Sequence, residues 1–184
     1  MHNNLPTFFL FIDNYDEQYI RNLDKKIAII YRNYSIKHQS KLILKIKKTC
    51  KKDGRKFFLS NNLKLALNLS LDGVYLPSFN QKLNTNGVSK RKKFLIIGSA
   101  HTVQEIKIKE QQGANIIFIA PLFKTKKNKT FLNTIKFNLL ALTTTRKIIA
   151  LGGITVKNSN RLRITKSFGF AGISYFKDNN KIKL

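Results

Sequence analysis

The sequence predicts a short-form (β/α)8 TIM barrel. Three observations lead there. Strand-length apolar runs recur eight times, segments with helical spacing or polar character lie between them, and the plan of strand end, polar loop and helix start repeats along the chain. An open doubly wound sheet is the alternative arrangement of the same βα repeat. Eight strands, however, match the number that closes a ring.

The expected strands are Phe8–Asp13, Ile27–Arg32, Lys56–Ser60, Gly73–Leu76, Phe94–Ser99, Ile116–Pro121, Ile148–Gly153 and Ala171–Phe176. Most are rich in Ile, Phe and Val, the residues that fit a pleated surface. They are apolar on both faces, as strands of a covered parallel sheet are. Between them, Ser35–Lys52 places Leu42, Ile43, Ile46 and Cys50 on one stripe opposite lysines, and Gly54 serves as C-cap. Asn62–Ser70 carries five apolar residues at helical spacing. Thr102 and Glu105 form a capping box, and Gly113 ends that helix. Asn80–Lys93 is polar and reads as a loop in place of a helix. Only Lys177–Leu184 follows the last expected strand, too little for a full outer helix. The barrel is therefore expected to have a trimmed or missing terminal helix, capped minimally or covered by a second copy in a homo-oligomer.

At 184 residues with 42% hydrophobic content, one domain spanning 1–184 is expected. The net charge is +26, but only seven of the 35 cationic residues are arginines. Arginine is the usual reader of phosphate and base edges. A Lys-, Asn- and Ile-rich chain instead resembles a coding bias, so nucleic acid is not the expected partner. The charge favours anionic small substrates. A lone Cys50 leaves no intrachain disulfide and no thiolate cluster. The run Phe8–Ile12 is too short for a membrane span or signal core. A cytoplasmic protein with no membrane partner is expected.

The most informative corner is Lys147-Ile148-Ile149-Ala150-Leu151-Gly152-Gly153-Ile154, a buried strand ending in paired glycines ahead of a polar segment. Glycine amides uncovered by side chains, next to a helix start, can hold a phosphate. Arg32, Asn61, Ser99 and the Lys124–Lys129 loop also follow strand ends, where barrels build their sites. Within that loop, Thr125 and Lys126 are the candidates to meet an anion, while Lys127 and Lys129 read as solvated charge. His38 and His2 read as surface residues.

Taken in order, Phe9–Asp13, Asp72–Leu76, Ile97–Thr102, Ala120–Lys126, Ala150–Ile154 and Gly169–Ile173 resemble the thiamine phosphate synthase/TenI family from about Phe8 to Phe176. The resemblance implies a transferase of thiamine biosynthesis that joins hydroxymethylpyrimidine diphosphate to a thiazole phosphate and releases pyrophosphate. It implies phosphate binding by Gly152 and Gly153, diphosphate contacts from Arg32, Ser99, Thr125 and Lys126, and a pyrimidine or weak metal contact from Asn61. Ser99 and His101 take the catalytic positions. In TenI-type relatives a His in this segment is the acid/base of a thiazole tautomerase, and that activity, or silent thiazole-phosphate binding, is the second expectation; a basic nucleic-acid-binding protein on the same scaffold is the third.

The family's Mg²⁺ is expected but poorly provided for, and no residue is assigned as a metal ligand. Ser60-Asn61 stands where the synthase has Asn-Asp, and Asn80 where a second Asp follows the fourth strand. Ile30 and Tyr34 replace the Gln and Lys that flank the family's Arg.

Overall fold

The computed structural model describes residues 5–34, 40–85, 87–88, 93–125, 130–178 and 182. Eight parallel strands close into a ring in sequence order: β1 Phe8–Ile12, β2 Ile27–Tyr31, β3 Phe57–Ser60, β4 Gly73–Leu76, β5 Leu95–Ala100, β6 Ile116–Ile119, β7 Lys147–Leu151 and β8 Phe170–Gly172. The helices are α1 Glu17–Asn22, α2 Ser40–Lys52, α3 Leu63–Asn68, α4 Val103–Gln111, α5 Asn133–Ala141 and α6 Ser174–Asp178. A 3-10 helix, Val156–Ile164, takes the place of an outer α-helix after β7.

Strand alternation sorts the core into two layers. Phe9, Phe11, Ala28, Ile30, Phe58, Tyr75, Ile97, Phe118, Ile149 and Ala171 fill the ring. The ring of Phe118 packs edge-on against Phe9 at 4.9 Å and against Phe11 at 6.1 Å. The opposite faces of the strands meet the helices through residues such as Ile29, Ile43, Ile46, Leu59, Ile106 and Phe137. The predicted stripe of α2 buries Ile43, Ile46 and Cys50, while Leu42 is half-buried. Burial pushes the Cys50 thiol up to about 12, so it is an inert packing group.

Local capping follows the sequence, except that the reciprocal bond expected between Glu105 and the Thr102 amide is made to the residue before it. Thr102 Oγ1 accepts from Glu105 N at 3.2 Å, and Glu105 Oε2 accepts from His101 N at 2.5 Å. Asn62 caps α3 by accepting from Leu65 N at 3.1 Å. The loop from Pro77 to Phe94 has no helix among its described residues.

One expectation lies partly outside the described residues, and one changes. Helix α2 is described from Ser40 onward, and residues 35–39 lie outside the described set. The last strand is not Ala171–Phe176: it is three residues long, and α6 begins at Ser174. The apolar run misleads there because Tyr175 and Phe176 are buried by a helical turn. Their rings lie 4.7 and 5.3 Å from that of Phe170, and Tyr19 Oη of α1 donates to Phe176 O at 3.2 Å. This turn packs against α1 across the β8–β1 seam.

Candidate functional site

The residues singled out by sequence gather at one end of the ring. Arg32 follows β2, Asn61 follows β3, Ser99 ends β5, His101 follows it, Thr125 lies beyond β6, and Gly152-Gly153 follow β7. All are at the carboxyl ends of their strands, where a barrel presents its chemistry. Lys126 lies outside the described residues.

At the mouth, the Arg32 guanidinium carbon sits 4.7 Å above the ring of Phe11, the uppermost aromatic of β1. The side chain is thereby drawn over the barrel axis. Two hydroxyl pairs lie beside it. Tyr34 Oη and Ser60 Oγ are 2.8 Å apart. Tyr75, buried inside the ring, is hydrogen-bonded to Ser99, and burial pushes its phenol up to about 12. Tyr75 therefore stays protonated across the physiological range, with Ser99 beside it. The ring of Phe79 meets that of Tyr34 edge-on at 5.9 Å.

The glycine corner is shaped by the segment after β6. Leu122 N donates to Leu151 O at 2.9 Å and Phe123 N donates to Gly152 O at 3.1 Å. Asn158 Nδ2 donates to Gly153 O at 2.8 Å, while its Oδ1 accepts from Thr155 N at 2.9 Å. Three consecutive carbonyls, of Leu151, Gly152 and Gly153, are thus bonded into the protein. Among the described residues, the amides of Gly152 and Gly153 have no acceptor. Both residues have positive φ, +94° and +70°. Carbonyls turned inward with neighbouring amides left over is the arrangement of a backbone anion nest.

His101 faces β6. Its Nδ1 lies 2.6 Å from Ala120 O. A carbonyl only accepts, so the proton of the neutral ring is on Nδ1 and Nε2 is the basic atom.

Asn61 adopts φ +57° and its Oδ1 accepts from Asn80 Nδ2 at 2.7 Å. Asn80 Oδ1 in turn accepts from Lys82 N at 3.1 Å. The two positions where the resemblance expects metal carboxylates are therefore neighbours, and they hold each other by a neutral amide contact. Both amide oxygens already accept N–H groups. The ammonium of Lys109 lies 2.6 Å from Asn80 O. Mg²⁺ is a hard cation held through carboxylates and phosphate oxygens. Neutral, occupied amides beside a fixed positive charge do not fit a resident Mg²⁺. Among the described residues, no three His, Cys, Asp or Glu side chains cluster as metal ligands.

Sequence reasoning did not assign roles to Ser60, Tyr75, Asn158 or Lys109. Period-two alternation along β3 and β4 points Ser60 and Tyr75 inward and was the available signal for those two. Asn158 and Lys109 act through contacts between separate elements and carry no local signature.

Comparison with known proteins then places these features in context. The family described as "Thiamine monophosphate synthase" (TMP-TENI) matches residues 18–176. A thiamine-phosphate synthase of Flavobacterium johnsoniae is 29% identical over 200 residues, covering 99% of this chain and 93% of that protein. One from Helicobacter pylori strain J99 is 29% identical over 139 residues, covering 73% of this chain and 63% of its own length. In three dimensions the chain is similar to thiamine phosphate pyrophosphorylase from Pyrococcus furiosus, with a TM-score of 0.73, 18% identity and coverage of 91% and 85% of the two chains. Among the described residues, no helix is long and apolar enough to cross a membrane.

Proposed function

The chain belongs to the thiamine monophosphate synthase (TMP-TENI) family, and on that premise we propose that it is a diverged thiamine phosphate synthase. It joins hydroxymethylpyrimidine diphosphate to thiazole phosphate with release of pyrophosphate, in the cytoplasm. The observation that carries this reading is the glycine corner, where three carbonyls are bonded away and two amides are left for an anion.

The thiazole phosphate is held by the amides of Gly152 and Gly153. The diphosphate lies toward Arg32, Ser99 and Thr125, with Lys126 from the same loop. The bond between the pyrimidine methylene and the diphosphate oxygen breaks, and its electron pair leaves with pyrophosphate. The thiazole nitrogen lone pair then forms the new C–N bond. The residues assist by stabilising charge that grows on the leaving oxygen. The Arg32 guanidinium offers two parallel donors, and the Ser99 hydroxyl, beside Tyr75, offers another. Asn61 has its oxygen engaged by Asn80, so its remaining amide hydrogens suit an acceptor atom on the pyrimidine. The family is generally Mg²⁺-dependent, but the Asn61–Asn80 corner supplies no carboxylate for that ion, so no step is assigned to it.

Purified protein incubated with both substrates and Mg²⁺ is expected to yield thiamine phosphate, read by chromatography. Substrates that bind without forming product would end the synthase reading.

A TenI-like tautomerase is the second reading, favoured by one observation: the Ala120 contact leaves His101 Nε2 basic. His101→Asn is expected to abolish thiazole carboxylate tautomerisation. An unchanged tautomerisation rate removes His101 from that chemistry.

A further inference from the structure

Lys109 is fully buried although it carries an ammonium, and the chemistry proposed above makes no use of it. Such a group normally sits against a carboxylate. Here its three N–H donors go instead to three neutral oxygens: Pro77 O at 2.8 Å, Asn80 O at 2.6 Å and Gln112 Oε1 at 3.0 Å. Gln112, also fully buried, completes the contact. Its Nε2 donates to Asn80 O at 3.0 Å and to Lys82 O at 2.8 Å. Five hydrogen bonds from two side chains near the end of α4 therefore converge on one another and on the loop that leaves β4. The stem of Lys109 reaches that place across β5 only because position 98 is glycine. A Cβ on Gly98 would lie 2.7 Å from Lys109 Cγ.

What the clamp holds is the rim of the site. Asn80 O is bound from beneath by both side chains, and the Asn80 amide bonds Asn61 at 2.7 Å. Asn61 sits in the left-handed region, where its side chain is set by few other constraints.

We propose that Lys109 is a positioning residue for the anion site: its buried ammonium, with Gln112, fixes the β4–β5 loop so that Asn80 holds Asn61 in its binding geometry. At neutral pH it also places a positive charge beside the corner where the donor set does not fit Mg²⁺. The proposal rests on the reading of this rim as a phosphate and diphosphate site.

Protonation matters to the clamp. Burial lowers the Lys109 ammonium from its ordinary value to about 8, against the opposing pull of Glu105 on the same helix. The other groups around the ammonium are neutral: the Pro77 and Asn80 carbonyls, the Gln112 amide and the Gly98 backbone. Loss of the proton removes one donor and the charge. Anion affinity contributed by Lys109 is therefore full below about pH 8 and declines as pH rises through it.

The test is calorimetric binding of inorganic pyrophosphate, without divalent metal, to wild type and Lys109→Met from pH 6.5 to 9.5. Ionisation of pyrophosphate itself is common to both proteins and cancels in the comparison. Lys109→Met is expected to bind roughly tenfold more weakly at pH 7, a size usual for groups that orient a binding residue. The difference should shrink above pH 8. Equal affinities, or a tenfold gap that is constant with pH, overturn the proposal. Wild type that fails to bind pyrophosphate defeats the phosphate-site reading and this proposal together. Should Lys109→Met not fold, Gln112→Leu in the same series should weaken binding and lower the pH of the decline, because the ammonium loses an acceptor. An unaltered profile there is equally fatal.

Discussion

Replacing Arg55 by Met is expected to remove about 3–5 kcal/mol of stability, a large share of the roughly 5–15 kcal/mol that holds a domain of this size together. Arg55 is almost completely buried just before β3. Its Nη1 donates to Asp24 O at 2.7 Å and Ile27 O at 3.0 Å, and its Nη2 to Ile20 O at 3.1 Å and Leu23 O at 3.2 Å. Two of those carbonyls belong to the end of α1, where Ile20 O otherwise accepts only the long 3.3 Å bond from Leu23 N. The others belong to the turn into β2 and to its first residue. One side chain therefore ties the first βα unit to the third strand. The Asp53 carboxylate lies 3.5 Å away, close enough to balance charge but without hydrogen-bond geometry. The carbonyls carry the contact. Met fills the space but takes the guanidinium donors away from four carbonyls, leaving Ile20 O and Asp24 O only their backbone donors, Leu23 N and Ile27 N. Urea denaturation should show a markedly lower midpoint with an unchanged slope. A midpoint within experimental error of wild type would refute the clamp.

Gly153→Ala has the largest expected effect on binding. Its φ of +70° disfavours any Cβ, and that Cβ would lie 2.5 Å from the carbonyl oxygens of both Phe123 and Lys124. The strain of the left-handed conformation costs about 1–2 kcal/mol. The clash must push residues 123–125 away, and Thr125 with them. Phosphate affinity is expected to fall roughly 100-fold, the scale of a 1 Å misplacement in a preorganised site. Gly172→Ala is the matched control, because its Cβ would meet nothing within 4 Å. If Gly153→Ala binds thiazole phosphate as wild type does, the glycine corner is a turn and not an anion nest. A larger side chain such as Val gives a less clean answer, because the same two backbone oxygens make it a folding variant as well as a binding one.

The ring was legible because its strands are buried on both faces. Continuous Ile, Phe and Val runs such as Ile27–Tyr31 and Ile116–Ile119 have no polar face to confuse them with amphipathic helices. The same property caused the error at the end. Ile173 to Phe176 is also apolar, and only packing of Tyr175 and Phe176 on Phe170 shows that one helical turn, not a strand, buries them. At the site, Ser99 and the glycine pair were visible because strand-end chemistry is local. The Tyr75–Ser99 bond, the Asn158 bridge and the Lys109 clamp join residues of different elements, and spacing along the chain does not encode them. The Asn61–Asn80 contact shows the middle case. Both residues were noted as departures, but their direct bond, which changes what each can offer a ligand, exists only in three dimensions.

The three-residue strand β8 pairs with β7 on one side and β1 on the other. During synthesis, Phe8–Ile12 must therefore wait for Phe170–Gly172 before its free edge is satisfied. Until Phe170–Gly172 leaves the ribosome, Phe8–Ile12 and Lys147–Leu151 expose unpaired backbone edges. A nascent chain stalled before Phe170 would be an open sheet prone to joining others.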